Sequence, residues 1–217
     1  MRWEVLEGVP EEDVRQLLSI ARRRTFRRGE VVFHVHDPAD TLHLIVSGRF
    51  AVRVQTALGD VAILAVLGPG DIFGELGLIG GESRRGATVE ALEQGETRSV
   101  HRPDWERLRR EHPSVGDVLT VILADRMRRL NTHLLEALYA PADKRVLRRL
   151  VELAGLYAPG AEEARIPLRQ EDLASIAGTS RATVNRVLRE EEARGSVRLE
   201  RGRTIVLDRA ALERRGR

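Results

Sequence analysis

From Glu11 to Arg22 the apolar positions Val14, Leu17, Leu18 and Ala21 recur at three- and four-residue steps, which predicts a short amphipathic helix. The period then shortens. Val31-Val32-Phe33, Leu42-His43-Leu44-Ile45-Val46, Phe50-Ala51-Val52-Arg53-Val54 and Val61-Ala62-Ile63-Leu64-Ala65-Val66 are short runs rich in β-branched residues with partial two-residue alternation. Gly29, Asp37-Pro38, Gly48, Gly59 and Gly68-Pro69-Gly70 separate them as turns. Many short strands punctuated this regularly predict a β-sandwich, roll or barrel.

Around Ser114 the helical period returns. Leu119, Leu123, Met127, Leu130, Leu134 and Ala137 form one apolar seam, flanked by Asp125, Arg126, Arg128, Arg129 and Glu136. Such a seam either packs on its own domain or pairs with the same helix of a second copy; the second reading is preferred. Pro141 in Ala140-Pro141-Ala142-Asp143 disfavours helix at the residue before it and marks a hinge.

Beyond the hinge, Gln170 to Glu191 reads as two short helices joined by a sharp turn. Leu173, Ile176 and Ala177 form one face of the first helix, and small Ala174 lets a second helix cross closely. Gly178 supplies the left-handed turn, and Thr179 or Ser180 caps the next helix. Val184, Val187 and Leu188 bury that helix, leaving Ser180, Arg181, Thr183, Asn185, Arg186 and Arg189 to face outward. Arginine on a helix that enters the major groove can bond guanine O6 and N7 together. Val197-Arg198-Leu199-Glu200 and Thr204-Ile205-Val206-Leu207 flank Arg201-Gly202-Arg203, a hairpin wing whose Arg201 and Arg203 would reach phosphates.

The charge distribution supports this. Residues 144–217 hold 17 Lys+Arg against 11 Asp+Glu, a net of +6, while the remainder is net −3. With 42% hydrophobic and 32% charged residues in 217, the chain has the composition of a globular protein of two domains. It contains no cysteine, which excludes disulfides and thiol-based sensing, and no apolar run long enough to span a membrane. Met1-Arg2-Trp3-Glu4 has no signal-peptide character, so the expected location is the cytoplasm. His34 and His36 alternate on an expected strand, with His43 one strand later. Such an arrangement admits a metal or haem site, but turn or surface histidines are the ordinary explanation and no metal is assigned. No nucleophile motif or catalytic pair of carboxylates is found, so no catalytic residue is assigned.

Gly70-Asp71-Ile72-Phe73-Gly74-Glu75-Leu76-Gly77-Leu78-Ile79, Arg84-Arg85-Gly86-Ala87-Thr88-Val89 and Ser180-Arg181-Ala182-Thr183-Val184 together resemble the cyclic-AMP receptor protein and fumarate–nitrate reduction regulator (Crp/Fnr) family, over essentially the whole length. The resemblance implies an α+β chain: a β-roll effector domain of the cyclic-nucleotide-binding, jelly-roll type over residues 1–113, a dimerisation helix over 114–140 and a winged helix-turn-helix over 141–217. It implies a homodimeric regulator bound to double-stranded DNA, with cyclic AMP or another small effector in the roll. Contacts with RNA polymerase are implied too, for which the loop Ala158-Pro159-Gly160-Ala161-Glu162 is a candidate.

The effector residues that the resemblance implies are Gly74, Glu75, Leu76, Arg85, Gly86 and Ala87, with Leu130 and Asn131 from the long helix. Glu75 suits a ribose hydroxyl and Arg85 a phosphate; the same segment also reads as a tight turn closed by a Glu75–Arg85 ion pair. The chain departs from the family at Gly86, where a hydroxyl residue is usual, and at Leu130, where one of two polar adenine contacts would lie. The roll therefore binds cyclic AMP with altered contacts, another effector, or none. His36 stands in a turn where relatives carry Gly. For DNA, the resemblance implies base reading by Arg181 and Arg186 on a half-site similar to TGTGA, with relaxed discrimination where the family's intervening Glu is Ala182. Arg169, Gln170 and Ser180 are candidate phosphate contacts. Two alternatives stay open: an effector-independent regulator of the same family, and a cyclic-nucleotide-binding regulatory subunit acting on a protein partner.

Overall fold

The structure is a computed structural model that describes residues 6, 9–56, 59–79 and 84–217. The segment Met1 to Glu4, read above as lacking signal-peptide character, lies outside the described residues.

The amphipathic segment forms α1 (Glu11–Ile20), and among the described residues the turn-punctuated runs form eight strands. These are β1 (Arg22–Phe26), β2 (Val31–Phe33), β3 (Thr41–Ser47), β4 (Phe50–Gln55), β5 (Val61–Leu67), β6 (Ile72–Phe73), β7 (Thr88–Ala91) and β8 (Gly95–His101). They make two four-stranded sheets, ordered β1-β8-β3-β6 and β2-β7-β4-β5. Two helices follow, α2 (Arg102–Glu111) and α3 (Pro113–Tyr139).

Strand β3 shows why this region folds as a roll. Successive side chains on a strand point to opposite faces. Leu42 and Leu44 pack with Leu17 of α1, Trp105 of α2 and Val118 and Ile122 of α3. Ile45 lies in the other cluster, with Phe26, Phe50, Phe73 and Val89. Both faces of β3 are covered, so its run of apolar residues is nearly unbroken.

After the break at Ala140-Pro141 come α4 (Ala142–Tyr157), β9 (Ala164–Ile166), α5 (Gln170–Ala177), α6 (Arg181–Ala193), β10 (Val197–Glu200), β11 (Arg203–Val206) and α7 (Arg209–Gly216). The last three strands form a sheet ordered β10-β11-β9. The fold is thus an α+β chain with an N-terminal β-roll and a C-terminal winged helix-turn-helix. Residues 1–54 and 64–130 make one compact unit, and 55–63 with 131–217 make another, so the division passes through α3. Among the described residues no helix is long and apolar enough to cross a membrane.

Candidate effector and nucleic-acid sites

In the roll, Gly74 has φ +85°, and a Cβ there would lie 2.6 Å from the Thr41 carbonyl oxygen and 2.9 Å from Nη1 of Arg85. Only glycine fits such a position. It opens a single 3₁₀ turn, Glu75–Leu78, that carries Glu75 inward to 1% exposure. Arg85, 4% exposed, lies beside Gly74. Its Nη1 donates to the carbonyl oxygens of Thr41 (2.8 Å) and Gly74 (3.3 Å), and its Nη2 donates to Thr41 Oγ1 (2.6 Å). The guanidinium carbon sits 4.0 Å from the centre of the Phe33 ring.

The Glu75–Arg85 ion pair of the alternative tight-turn reading is not formed; each residue has another partner. Glu75 Oε1 meets Nη1 of Arg126 on α3 at 2.6 Å, and Nη2 of Arg126 donates to the Ile72 carbonyl at 2.8 Å. Burial pushes the Glu75 carboxyl above the usual carboxylate range, and Arg126 pulls it part of the way back. Arg85 instead has Asp40 at 3.7 Å. Arg126 escaped the sequence reading as a site residue, although it stands four residues, one helical turn, before Leu130.

Thr41 and His43 were also missed. Thr41 Oγ1 lies 3.3 Å from His43 Nε2, and His43 Nδ1 lies 3.0 Å from Thr97 Oγ1, so hydrogen bonds run from Arg85 into the roll's interior. The His43 ring stacks on Phe73 with centres 4.8 Å apart. Burial, aided by the positive charge of Arg85, lowers the His43 pKa to about 3. His34 and His36 correct a second expectation: they lie in the turn after β2, exposed, and not alternately on the strand. Among the described residues His36 is the non-glycine residue with positive φ, at 72°, which explains why a turn of this shape favours Gly.

The residues present fit a small ligand carrying an anion and a hydroxyl. The buried Nε of Arg85 has no hydrogen-bond partner, and neither oxygen of Glu75 receives a well-aligned hydrogen bond despite the close ion pair. Gly86, Leu76 and Ala87 flank these two groups; Gly86 and Leu76 are exposed and Ala87 is half-buried. Leu130 and Asn131 are both exposed on α3, along with Met127, Leu134, Leu135, Leu138 and Tyr139.

In the C-terminal unit, Gly178 adopts φ 58°, ψ 48° between α5 and α6, and its N–H closes on Ala174 O. Ser180 caps α6 by accepting from the Thr183 N–H at 3.1 Å, and its hydroxyl also meets that of Thr183 at 3.0 Å. Val184, Val187 and Leu188 are buried, as the period requires. Arg145 of α4 was not foreseen: it donates to the carbonyls of Ala140, Ala177 and Gly178, fixing the turn. Arg169, Ser180, Arg181, Asn185, Arg186, Arg201 and Arg203 are exposed, while Gln170 and Thr183 are half-buried. Arg181 pairs with Glu171 (3.0 Å), Arg186 with Glu190 (2.8 Å) and Arg203 with Glu200 (2.7 Å); Asn185 donates to Gln170 (3.0 Å). Exposed arginines on such a face could reach phosphates or base edges of a nucleic acid.

Comparison with known proteins identifies two domain families in the chain. Residues 23–112 match the cyclic nucleotide-binding domain family, and residues 144–215 match the Crp-like helix-turn-helix domain family. The cyclic AMP receptor protein of Thermus thermophilus is 35% identical over 96% of this chain and 94% of its own length. The CRP-like cAMP-activated global transcriptional regulator of Mycobacterium tuberculosis is 32% identical over 100% of this chain and 97% of its own. Among solved structures, the c-di-GMP responsive global regulator of Xanthomonas campestris superposes with a TM-score of 0.77 at 21% identity, covering 91% of this chain and 99% of that one.

Proposed function

Since this chain belongs to the Crp/Fnr family of transcription regulators, with a cyclic nucleotide-binding domain and a helix-turn-helix DNA-binding domain, we propose that it acts as a homodimer whose hold on DNA is set by a cyclic nucleotide in the roll. The observation that carries the effector reading is the pair of buried, opposite charges, Glu75 and Arg85, each with polar atoms lacking a well-aligned partner. When bound, a cyclic nucleotide supplies a phosphate anion and a ribose hydroxyl. Arg85 Nε would donate to the first, Glu75 would accept from the second, and the Gly74 and Gly86 backbone would leave room. Leu130 and Asn131 would approach the base, and Leu76 and Ala87 would line the entrance.

The exposed seam of α3 supports the dimer. Met127, Leu130 and Leu134 are 65%, 64% and 54% exposed, and a second copy of the helix would cover them. In the dimer Arg181 and Arg186 would read bases, while Arg169, Gln170, Ser180, Thr183, Asn185, Arg201 and Arg203 would hold the backbone and groove edge. A protein partner, RNA polymerase, would be met at the Ala158–Glu162 loop. Such a regulator, acting on DNA, would work in the cytoplasm.

One observation favours a second reading, an effector-independent regulator. Both terminal nitrogens of Arg85 already have acceptors in Thr41 and Gly74, so the guanidinium is largely satisfied by the protein itself. A relative is a cyclic AMP receptor protein, whereas a structural neighbour is a c-di-GMP responsive regulator, so proteins of this fold take different effectors. Calorimetric titration with cyclic AMP and cyclic GMP, repeated on Arg85→Ala, decides. Micromolar or tighter binding that the variant loses is the expected result; no heat with either nucleotide, from a folded protein that still binds its operator, would overturn the cyclic AMP and cyclic GMP reading in favour of a different effector or the second reading.

A further inference from the structure

We propose that Glu171, on the first turn of α5, is a specificity-determining residue that holds Arg181 in its base-reading pose. The inference rests on reading Arg181 as a contact to a guanine. Arg181 is the first residue of α6, whose first turn carries no acidic residue, and its neighbour is Ala182. Its carboxylate partner therefore comes from another element: Glu171 Oε1 lies 3.0 Å from Nη1 of Arg181.

The other outward arginines of α6 behave differently. Arg186 pairs with Glu190 and Arg189 with Glu192, one turn along the same helix. Those pairs travel with the helix and set no direction relative to α5. The Glu171–Arg181 pair does, and beside it Asn185 donates to Gln170 at 3.0 Å, so α5 reaches over the reading face at two adjacent residues. The ordinary role of an acidic residue at a helix start, meeting free N–H groups, is filled by Asp172, which accepts from the Arg169 N–H at 3.2 Å. Glu171 is left to the arginine.

A guanidinium has five N–H donors in a rigid fork. One contact at Nη1 leaves the Nε and Nη2 edge for a bidentate bond to guanine. Restricting the long arginine side chain before binding reduces the ordering cost at the moment of recognition, and that saving applies only where the arginine is used.

The test uses the full-length chain, its preferred half-site selected from a randomised pool, and competition with the other three bases at the guanine assigned to Arg181. Glu171→Gln is expected to lower discrimination at that base pair by about threefold, the range of an exposed ion pair. Other positions should be unchanged, and the effect should vanish in an Arg181→Ala background. An equal gain in affinity for every sequence, with a changed salt slope, would show that Glu171 only repels phosphates and would overturn the inference. Unaltered discrimination would overturn it as well. A wild-type protein indifferent to that base pair would instead refute the role of Arg181, and this inference with it.

Discussion

Replacing Arg126 with Leu isolates the balance that keeps a carboxylate inside the roll. Glu75 is 1% exposed, and Arg126 Nη1 stands 2.6 Å from it. Removing one partner of a buried pair costs about 3 to 5 kcal/mol. Here the arginine is 36% exposed, so water already screens its side, and about 2 kcal/mol is the fitting magnitude at pH 8. The pH dependence has a definite sign. Burial raises the Glu75 pKa in the folded state, so the associated stability is present below the unfolded value of 4.5 and is lost as pH rises through the folded one. Without Arg126 the folded pKa moves further up, and the loss between pH 5 and pH 8 grows. Urea denaturation followed by fluorescence of Trp105, buried in the core under the helices, reports on this unit in a Trp3→Phe background. Arg126→Leu should be destabilised more at pH 8 than at pH 5, and adding Glu75→Gln should restore at least about 1 kcal/mol at pH 8. Equal destabilisation at both pH values, or no relief from Glu75→Gln, would refute the reasoning.

His43 predicts acid lability: its pKa falls to about 3, so below 6.5 the unfolded chain takes a proton that the folded chain refuses. Stability should drop by about 1.4 kcal/mol per pH unit between those values, and His43→Leu should flatten that slope in thermal melts. His36→Gly should raise the melting temperature, because relieving a left-handed non-glycine residue returns about 1 kcal/mol, reduced by the extra freedom of the unfolded glycine. Gly86→Ser should tighten cyclic-nucleotide binding about tenfold in calorimetry, since a Cβ there meets nothing within 4 Å and the hydroxyl adds one charge-assisted donor. Unchanged affinity would mean that the anion does not lie beside residue 86.

The change from a two-residue to a helical period made the roll, the long helix and the helix-turn-helix legible in the sequence. Gly178 and Ser180 marked the turn between α5 and α6 because a left-handed corner and a cap each demand particular residue types. Periodicity has no comparable vocabulary for polar partners that meet across the fold. Arg126 looks like any solvated arginine on a helix until α3 is laid against the turn holding Glu75, and Arg145 looks the same until the carbonyls of Ala177 and Gly178 are placed beneath it.

Glu190, Glu191 and Glu192 show that some of this was nonetheless recoverable. Composition treats the three alike, yet Glu191 is 1% exposed while Glu190 faces water. The helical period separates them: Val184, Val187 and Leu188 define the buried face of α6, and three residues beyond Leu188 on that face is position 191. A carboxylate on that face must bring cations with it, because its burial unpaired would cost more than the helix gains by packing. Arg194, one turn on, meets it at 2.7 Å, and Arg215 of α7 closes on it from the far end of the domain, with Nε at 3.1 Å. The burial of Glu191 and its need for cations thus follow from the period, and Arg194 follows from helical spacing. The identity of Arg215 does not, since nothing local to α6 says which of the later arginines the fold will carry back.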